Sequence, residues 1–244
     1  MKPIRKPGIS IFILLAVILV QFASPQTARA ACSGIVYVDA DSTAVSPDGC
    51  DWTTAYKTLQ DALADVDLVS GDQIWVAQGT YYPDEGAGQV NDDRASTFQL
   101  VDGVSVYGGF AGTEELLSQR NSNPATNGTI LSGDIGILSD SSDNAHNVVS
   151  ITMGGLSATI LLDGFTIQDG NDDSGSGHGG GIYVNNTSPT LRNLIIRNNT
   201  VTANGGGMFV ISPSAILRTN YSSPTLENVT FTGNRASQRR VQAP

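Results

Sequence analysis

The sequence predicts an all-β chain that folds as a parallel β-helix, a solenoid of about five or six coils with an amphipathic helix capping its N-terminal end. The first observation is a duplicated segment, because the Ser-Pro-Thr-Leu-x-Asn pattern and the closing Asn of residues 188–199 return at 223–234. The second is a glycine triplet at 179–181 that returns at 205–207. The third is a series of short segments rich in Ile, Val, Leu and Thr, with no helical pattern between them. Together they indicate stacked units that bury their apolar faces only against one another.

Strands are predicted wherever β-branched and other apolar residues cluster between Gly, Asn, Asp and Ser. The predicted strands are 36–38, 73–77, 98–101, 104–107, 129–131, 148–152, 159–162, 165–167, 182–184, 191–196, 208–211 and 226–231. A sandwich or an antiparallel barrel also contains many short strands. Neither ordinarily repeats the same glycine turn and the same Asn positions in successive units.

Superposing the repeats predicts which side chains stack on neighbouring coils. The predicted pairs are Leu191 with Leu226, Asn193 with Asn228, Ile196 with Phe231, and Asn199 with Asn234. Residues 162–167 match the same pattern and predict a third, more divergent coil. Apolar pairs then fill the interior, while the Asn pairs form hydrogen-bonded ladders at the turns.

One amphipathic helix is predicted before the first long strand, over residues 52–66. Its apolar face would consist of residues spaced three or four apart: Trp52, Tyr56, Leu59, Leu63 and Val66. Either Asp51 or Thr53 would serve as the N-cap. Because an exposed sheet edge invites pairing with other chains, we expect this helix to cover the N-terminal end of the stack.

The N-terminus has the features of a secretory signal peptide at residues 1–30. Lys2, Arg5 and Lys6 precede an apolar run at 9–20, and Ala28-Arg29-Ala30 is a small-residue cleavage site. A membrane anchor is the alternative, but it needs about 20 apolar residues. The predicted organisation is a signal peptide at 1–30, an N-terminal strand and capping helix at 31–72, the β-helix at 73–234, and an unstructured tail at 235–244 of a truncated chain.

Charge limits the function classes. The signal peptide carries four cations and no acid, so its removal changes the formal net charge from −10 to −14. An exported chain this acidic is a poor partner for nucleic acids and for anionic membrane surfaces. This acidity suits a protein that binds cations or contacts neutral glycans. It also suits an extracellular or cell-surface location.

The two cysteines, Cys32 and Cys50, both lie near the start of the secreted chain. In an oxidising compartment we expect them to form one disulfide, with two free thiols as the alternative. With only His146 and His178 as further candidate ligands, the pattern of a structural zinc site is absent.

Several segments resemble the right-handed parallel β-helix proteins of bacterial surfaces, which share the pectin-lyase-like fold, and their repeats are similar to those of polymorphic outer membrane proteins. The similar segments are the glycine turns at 180–182 and 206–208, the Phe-x-x-Asn element at 231–234, and the stretches 52–63, 74–83 and 106–114. The resemblance implies the right-handed fold over nearly the whole secreted chain. It leaves activity open, because this fold includes adhesins, polysaccharide lyases and hydrolases.

Two enzymatic functions, a glycoside hydrolase and a polysaccharide lyase, are conceivable for such a fold, but the sequence assigns a catalytic residue for neither. Asn171-Asp172-Asp173 and Gly177-His178-Gly179 are similar to the polygalacturonase elements, but here they share one loop instead of lying on successive coils. For a lyase, Arg192 and Arg197 are the candidate bases. Their odd spacing predicts opposite faces of one strand, and no acid cluster is evident beside either.

Asp169, Asn171 and Asp173 alternate as oxygen ligands do in calcium loops, which predicts a structural calcium site; an ordinary solvated turn is the alternative. The EF-hand pattern itself fails at Ser174 and Gly180. No other cofactor is predicted.

The function predicted from the sequence is a secreted or surface-exposed, non-enzymatic binding, adhesion or structural module. Its partner would be a glycan or a cell-surface protein, with no nucleic acid and no membrane span after removal of the signal peptide. The alternative is a polysaccharide lyase or glycoside hydrolase that acts on acidic glycans. Any specific site should lie in the unrepeated insertions at 169–177 and 211–221.

Overall fold

The computed structural model describes residues 32, 34–152, 159–174, 177–212 and 222–237, which form parallel β-sheets curled into a half-barrel. The predicted signal peptide, most of the 211–221 insertion and the tail after residue 237 lie outside the described residues. The strands are β1 Ile35–Val38, β2 Gln73–Ala77, β3 Gly79–Tyr81, β4 Phe98–Gln99, β5 Ser105–Phe110, β6 Thr129–Ser132, β7 Val149–Thr152, β8 Leu161–Gln168, β9 Asn171–Asp172, β10 Ile182–Asn185, β11 Thr190–Arg197, β12 Thr200–Val201, β13 Met208–Ile211, β14 Thr225–Thr232 and β15 Arg235–Ala236.

The strands belong to three sheets, which we call the long, the four-stranded and the three-stranded sheet. The long sheet has the order β1-β2-β5-β8-β11-β14, with β3 and β6 joined to it. The four-stranded sheet has the order β13-β10-β7-β4, and the three-stranded sheet β15-β12-β9. From β8 onward the chain visits the long, three-stranded and four-stranded sheets in turn, and each return places a strand beside its predecessor.

The predicted repeat register is confirmed. Leu191 pairs with Leu226 and Ile196 with Phe231, all in parallel strands. The divergent copy pairs in the same register, since β8 lies directly beside β11. The Asn ladders also form, because Asn228 Nδ2 donates to Asn193 Oδ1 at 2.8 Å and Asn199 Nδ2 donates to Asn234 Oδ1 at 3.0 Å.

A left-handed residue bends each of the last three strands of the long sheet. Gly164, Asn193 and Asn228 occupy equivalent positions and have φ values of 92°, 51° and 52°. Asn tolerates this region better than most non-glycine residues. At this residue the alternation of inward-facing and outward-facing side chains along the strand starts again. The prediction that Arg192 and Arg197 face opposite sides is therefore wrong. Both lie on the outer face of the long sheet.

Apolar side chains fill the space enclosed by the sheets. Phe98, Phe165, Leu162, Ile167 and Ile182 are among the largest of the fully buried side chains. Where a strand has a neighbour on each side, stacking its apolar side chains over their equivalents removes them from water, which is the main stabilising term of the fold.

A second cluster, aromatic in character, covers the outer face of β2 and β5. Trp75, Tyr107 and Phe110 are buried there, and the rings of Trp75 and Phe110 stack with their centroids 4.5 Å apart. Trp52 packs on the same cluster and donates its indole N–H to the carbonyl of Glu114 at 2.9 Å.

The predicted helix at 52–66 is wrong in extent. The chain forms a 3-10 turn at Trp52–Thr54 and a short helix, α1, at Leu59–Leu63. Trp52 instead joins the aromatic cluster, and Val66 is 81% exposed, so the two ends of the predicted apolar face diverge. Asp51 caps the turn, whereas Thr58 caps α1.

The short helix α1 lies beside the first strands of the sheets. The helix contacts β1 and β4, which are the edge strands of the long and four-stranded sheets. Leu59 and Ala62 are fully buried against the core. The helix therefore closes the apolar interior where the first strands would otherwise leave it open.

The predicted Cys32–Cys50 disulfide is present and joins the chain just before β1 to the chain just before the 3-10 turn. The strands of the three-stranded sheet, by contrast, escaped prediction because two residues are too few to show an alternating pattern. One of them, β15, lies in the segment predicted to be an unstructured tail, so that prediction is wrong for Arg235 and Ala236.

Candidate functional site

A groove crosses three successive strands on the outer face of the long sheet. Its volume is about 250 Å³, and it is lined by Ser105, Thr159, Ile160, Leu161, Ser188, Thr190 and Arg192. Register places the lining residues side by side, because Ser105 of β5, Leu161 of β8 and Thr190 of β11 are direct partners. We call this cavity the Arg192 groove. It combines hydroxyl groups, one guanidinium and an apolar floor, as small-ligand sites commonly do.

Arg192 is held in place by a buried carboxylate. Asp163 Oδ2 accepts from Arg192 Nε at 2.9 Å and from Arg192 Nη2 at 2.7 Å. The Asp163 side chain is fully buried, whereas the Arg192 side chain is 38% exposed. A guanidinium fixed along one edge in this way presents Nη1 to a ligand at little entropic cost, and the ligand competes there with Glu227 Oε2, which lies 4.0 Å away.

Asp163 has further partners on both sides. Arg120 Nη2 donates to Asp163 Oδ2 at 2.7 Å, and Asn193 Nδ2 donates to Asp163 Oδ1 at 2.7 Å. The Arg120 guanidinium also lies over the Tyr107 ring, 5.2 Å from its centroid. Two guanidiniums therefore share one buried carboxylate beside the Arg192 groove.

Hydrogen bonding to Asp163 raises the pKa of Arg192 further above its already high ordinary value. The nearby negative charges of Asp163 and Glu227 act in the same direction, although burial opposes them. Glu227 Oε2 lies 4.0 Å from Arg192 Nη1 at the outer end of the same row. Arg192 consequently remains a fixed cation and hydrogen-bond donor at any physiological pH.

The sequence interpretation found no acid cluster beside Arg192, but an acid lies on each side of it, Asp163 on β8 and Glu227 on β14. The sequence did contain the signal, because the aligned repeats place Asp163 directly beside Arg192. Arg120 carried no such signal, since it belongs to an unrepeated connection far from β8 in sequence. Arg197, on the same outer face, binds the uncharged Gln168 Oε1 through Nε at 2.9 Å and Nη2 at 2.6 Å.

The three residues predicted to bind calcium do not share one set of contacts. Asp173 forms an ion pair with Arg94 at 3.0 Å, and the Asn171 side chain donates to the carbonyl of Ser141 at 2.6 Å. Asp169 lies at the turn after β8, where it lines a separate cleft with Asn171.

In the loop that is similar to the polygalacturonase elements, Asp172 and His178 are held by contacts within the fold. Asp172 is buried and accepts from the backbone N–H groups of Ser174 and His178, both at 3.2 Å. The His178 ring stacks on Phe209 with a centroid distance of 4.2 Å. His146 Nδ1 lies 3.6 Å from Asp172 Oδ1. These contacts stabilise the turn, and they do not place two carboxylates on either side of an open groove, as glycoside hydrolysis requires.

One comparison with known proteins gave a match. A family model described as a protein of unknown function (DUF1565) matches residues 46–241. No curated protein and no solved structure matches the chain. In the part of the chain that the structure describes, no helix is long and apolar enough to cross a membrane.

Proposed function

The chain belongs to the DUF1565 family, and we propose that it is a secreted or surface-exposed right-handed parallel β-helix that binds glycans without cleaving them. The Arg192 groove, with its arginine fixed by a buried carboxylate, is the observation that carries this proposal. Binding at this groove makes the chain an adhesion or recognition module.

The strand order supports the β-helix. The long sheet takes its six strands β1, β2, β5, β8, β11 and β14 in chain order, which corresponds to about six coils. The intervening strands return through the other sheets in parallel. Parallel connections of this kind are almost always right-handed, which supports the proposed hand. The family is also one associated with β-helix proteins.

Secretion is supported by independent features. Residues 1–30 carry the pattern of a signal peptide, and Cys32 and Cys50 form a disulfide of the kind that persists in oxidising compartments. The acidic composition of the remaining chain favours solubility outside the cell.

Sugars fit the chemistry of the Arg192 groove. Ser105 and Thr190 hydroxyls can donate to and accept from sugar hydroxyls, and Arg192 can donate to a hydroxyl or to a uronate carboxylate. Leu161 offers apolar surface to the C–H face of a ring. The groove follows stacked strands, so successive sugar units can lie along the flank and add their weak contacts.

The state of Arg192 favours binding over elimination chemistry. A lyase base must accept a proton from the sugar ring, and general base catalysis is efficient only when the pKa lies near the working pH. Asp163 raises the pKa of Arg192, which moves it away from that range. Arg192 is therefore suited to hold an anionic or polar group and unsuited to remove a proton.

The test is calorimetric titration of the purified chain with neutral and acidic oligosaccharides. We expect binding that weakens about tenfold or more in Arg192→Gln, because a charge-assisted hydrogen bond is lost. Arg197→Gln is the matched control, since Arg197 lies on the same strand and face but outside the groove. Equal losses in both variants, or no binding to any oligosaccharide, would contradict the proposal. Circular dichroism establishes that each variant is folded.

A further inference from the structure

A second cavity lies where the turn after β6 meets the turn after β8. Its volume is about 240 Å³, and Asp134, Ser139, Asn144, Asp169 and Asn171 are among the residues that line it. We call it the Asp134–Asp169 cleft. Its polar lining is dominated by oxygen atoms of carboxylates, hydroxyls and amides, which are the donors that hard divalent cations prefer.

Asn144 supplies an observation independent of the acidic residues. It is 5% exposed, and its Nδ2 donates to the main-chain carbonyl of Asp169 at 2.6 Å. That bond fixes which end of the amide is oxygen. Asn144 Oδ1 is buried and has no hydrogen-bond partner among the described residues. A buried amide oxygen without a partner is costly, and native proteins rarely leave one without water or an ion.

The two carboxylates of the cleft oppose one another electrostatically. Burial raises the pKa of Asp169, and the negative charge of Asp134 raises it further. Arg197 and a hydrogen bond from Gln168 act in the opposite direction. Asp134 is oriented by the backbone N–H of Ser139, which lies 2.8 Å from Oδ1 and 3.1 Å from Oδ2. A bound cation would relieve the repulsion between the two carboxylates.

The neighbouring guanidiniums bind other acceptors. Arg197 donates to Gln168 Oε1, and Arg94 donates to the carbonyls of Asn144 and Asn171 at 2.8 and 2.9 Å. Through these two hydrogen bonds Arg94 stabilises the backbone around the cleft. Its ion-pair partner is Asp173.

We propose that Asp134, Asp169 and Asn144 Oδ1 form a calcium site in this cleft. Calcium takes about six to eight oxygen ligands in flexible geometry, so water can complete a shell begun by these three side chains. Among the described residues no group of three His, Cys, Asp or Glu side chains could hold a metal ion, and the proposed site has two carboxylates with the Asn144 amide oxygen as its third protein ligand. The expected dissociation constant is about 0.1–1 mM, the range of extracellular calcium modules.

The site replaces the sequence-based ligand set. Asp169 belongs to both, but Asp134 takes the place of Asp173, which is neutralised by Arg94. Calcium would then join the connection that follows β6 to the turn that follows β8. Ile137 and Leu138, each 69% exposed on that connection, should become more resistant to proteolysis when calcium is bound.

The test is titration of the EDTA-treated, dialysed chain with calcium chloride, followed by calorimetry and by thermal unfolding. We expect one saturable site and a calcium-dependent rise in the unfolding temperature. Asp169→Asn and Asp134→Asn should each weaken calcium binding about tenfold or more, because each removes a charged ligand.

Asp173→Asn is the matched control and should leave the affinity unchanged. The proposal is overturned if the wild-type chain shows no saturable calcium effect. It is also overturned if Asp173→Asn abolishes binding while Asp134→Asn retains it, since that result assigns calcium to the alternating loop. Because Asp134 and Asp169 lie on separate turns, either variant still tests the site if the other folds poorly.

Discussion

β11 and β14 are two copies of the same repeat, but they have different surroundings. Leu191 and Ile196 of β11 are fully buried, whereas Leu226 and Phe231 at the equivalent positions of β14 are 46% and 45% exposed. Within the described residues β11 has a neighbouring strand on each side, and β14 has one. The repeat therefore specifies which way a side chain points, but only the neighbouring strand determines how much that side chain stabilises the fold.

The largest difference is expected in the charged row that includes Arg192. Asp163 and Glu227 flank Arg192 in register, but the Asp163 side chain is buried and that of Glu227 is 54% exposed. Asp163→Asn should lower the free energy of unfolding by about 3–5 kcal/mol, because it leaves Arg120 without its buried counter-charge. Glu227→Gln should cost at most about 1 kcal/mol. Urea unfolding measures both, and equal costs would contradict the comparison.

The next difference concerns the apolar column of Ile196 and Phe231. Ile196→Ala should cost about 2–5 kcal/mol, since it opens a cavity in the closed interior. Phe231→Ala should cost roughly 1 kcal/mol, because a ring that is nearly half exposed gains only part of the burial free energy. If Phe231→Ala lowers the free energy of unfolding as much as Ile196→Ala in the same urea series, then β14 is covered in solution.

A smaller difference is expected in the Asn ladder. Asn199 is fully buried, and its Oδ1 accepts from the Gly170 N–H at 2.9 Å. Asn199→Ala would leave that buried donor without a partner, at a cost of about 1–3 kcal/mol. Asn234→Ala should cost less, because water can reach its surroundings. The measurement is the thermal unfolding midpoint of the two variants, and the reverse order would refute the ladder account.

The smallest effect concerns three turn residues, Asp169, Asn198 and Gly233. They directly follow the equivalent strands β8, β11 and β14, and all three have positive φ. Of these only Asp169 carries charge, and its raised pKa means that the folded state disfavours the ionised form. In calcium-free buffer Asp169→Asn should therefore raise the unfolding midpoint at neutral pH.

That advantage should diminish as the pH falls through the folded pKa, and disappear below the unfolded value of about 3.9, where both states are protonated. Unfolding midpoints recorded across this window, for the wild-type chain and the variant, measure the effect. An advantage that persists at the lowest pH would show that charge is not its cause.

Much of the fold was predictable because the chain repeats itself. The register of β8, β11 and β14 follows directly from aligned Leu and Ile positions, and the disulfide follows from two cysteines in a secreted chain. The short strands of the three-stranded sheet were not predictable, since two residues show no alternation. The helix at 52–66 failed because Trp52 packs on a distant aromatic cluster, a tertiary contact that overrides local periodicity.

The candidate sites were less predictable. The partnership of Asp163 with Arg192 could be inferred from the repeat, but the bend at Asn193, which turns both arginines outward, requires a backbone conformation that composition does not reveal. Arg120 and Asp134 belong to unrepeated connections, and only the fold brings them to Asp163 and Asp169. Sequence alone predicted calcium ligands along one loop, whereas the proposed site takes its carboxylates from two turns.

The central claim is that the Arg192 groove holds a glycan and does not cleave it. The most direct measurement incubates the purified chain with each oligosaccharide that it binds, with and without calcium. The ultraviolet absorbance of unsaturated products and the number of reducing ends are then followed over many hours. The account predicts saturable binding with neither signal rising above the protein-free control. A sustained rise that is lost in Arg192→Gln would contradict it and identify the chain as an enzyme.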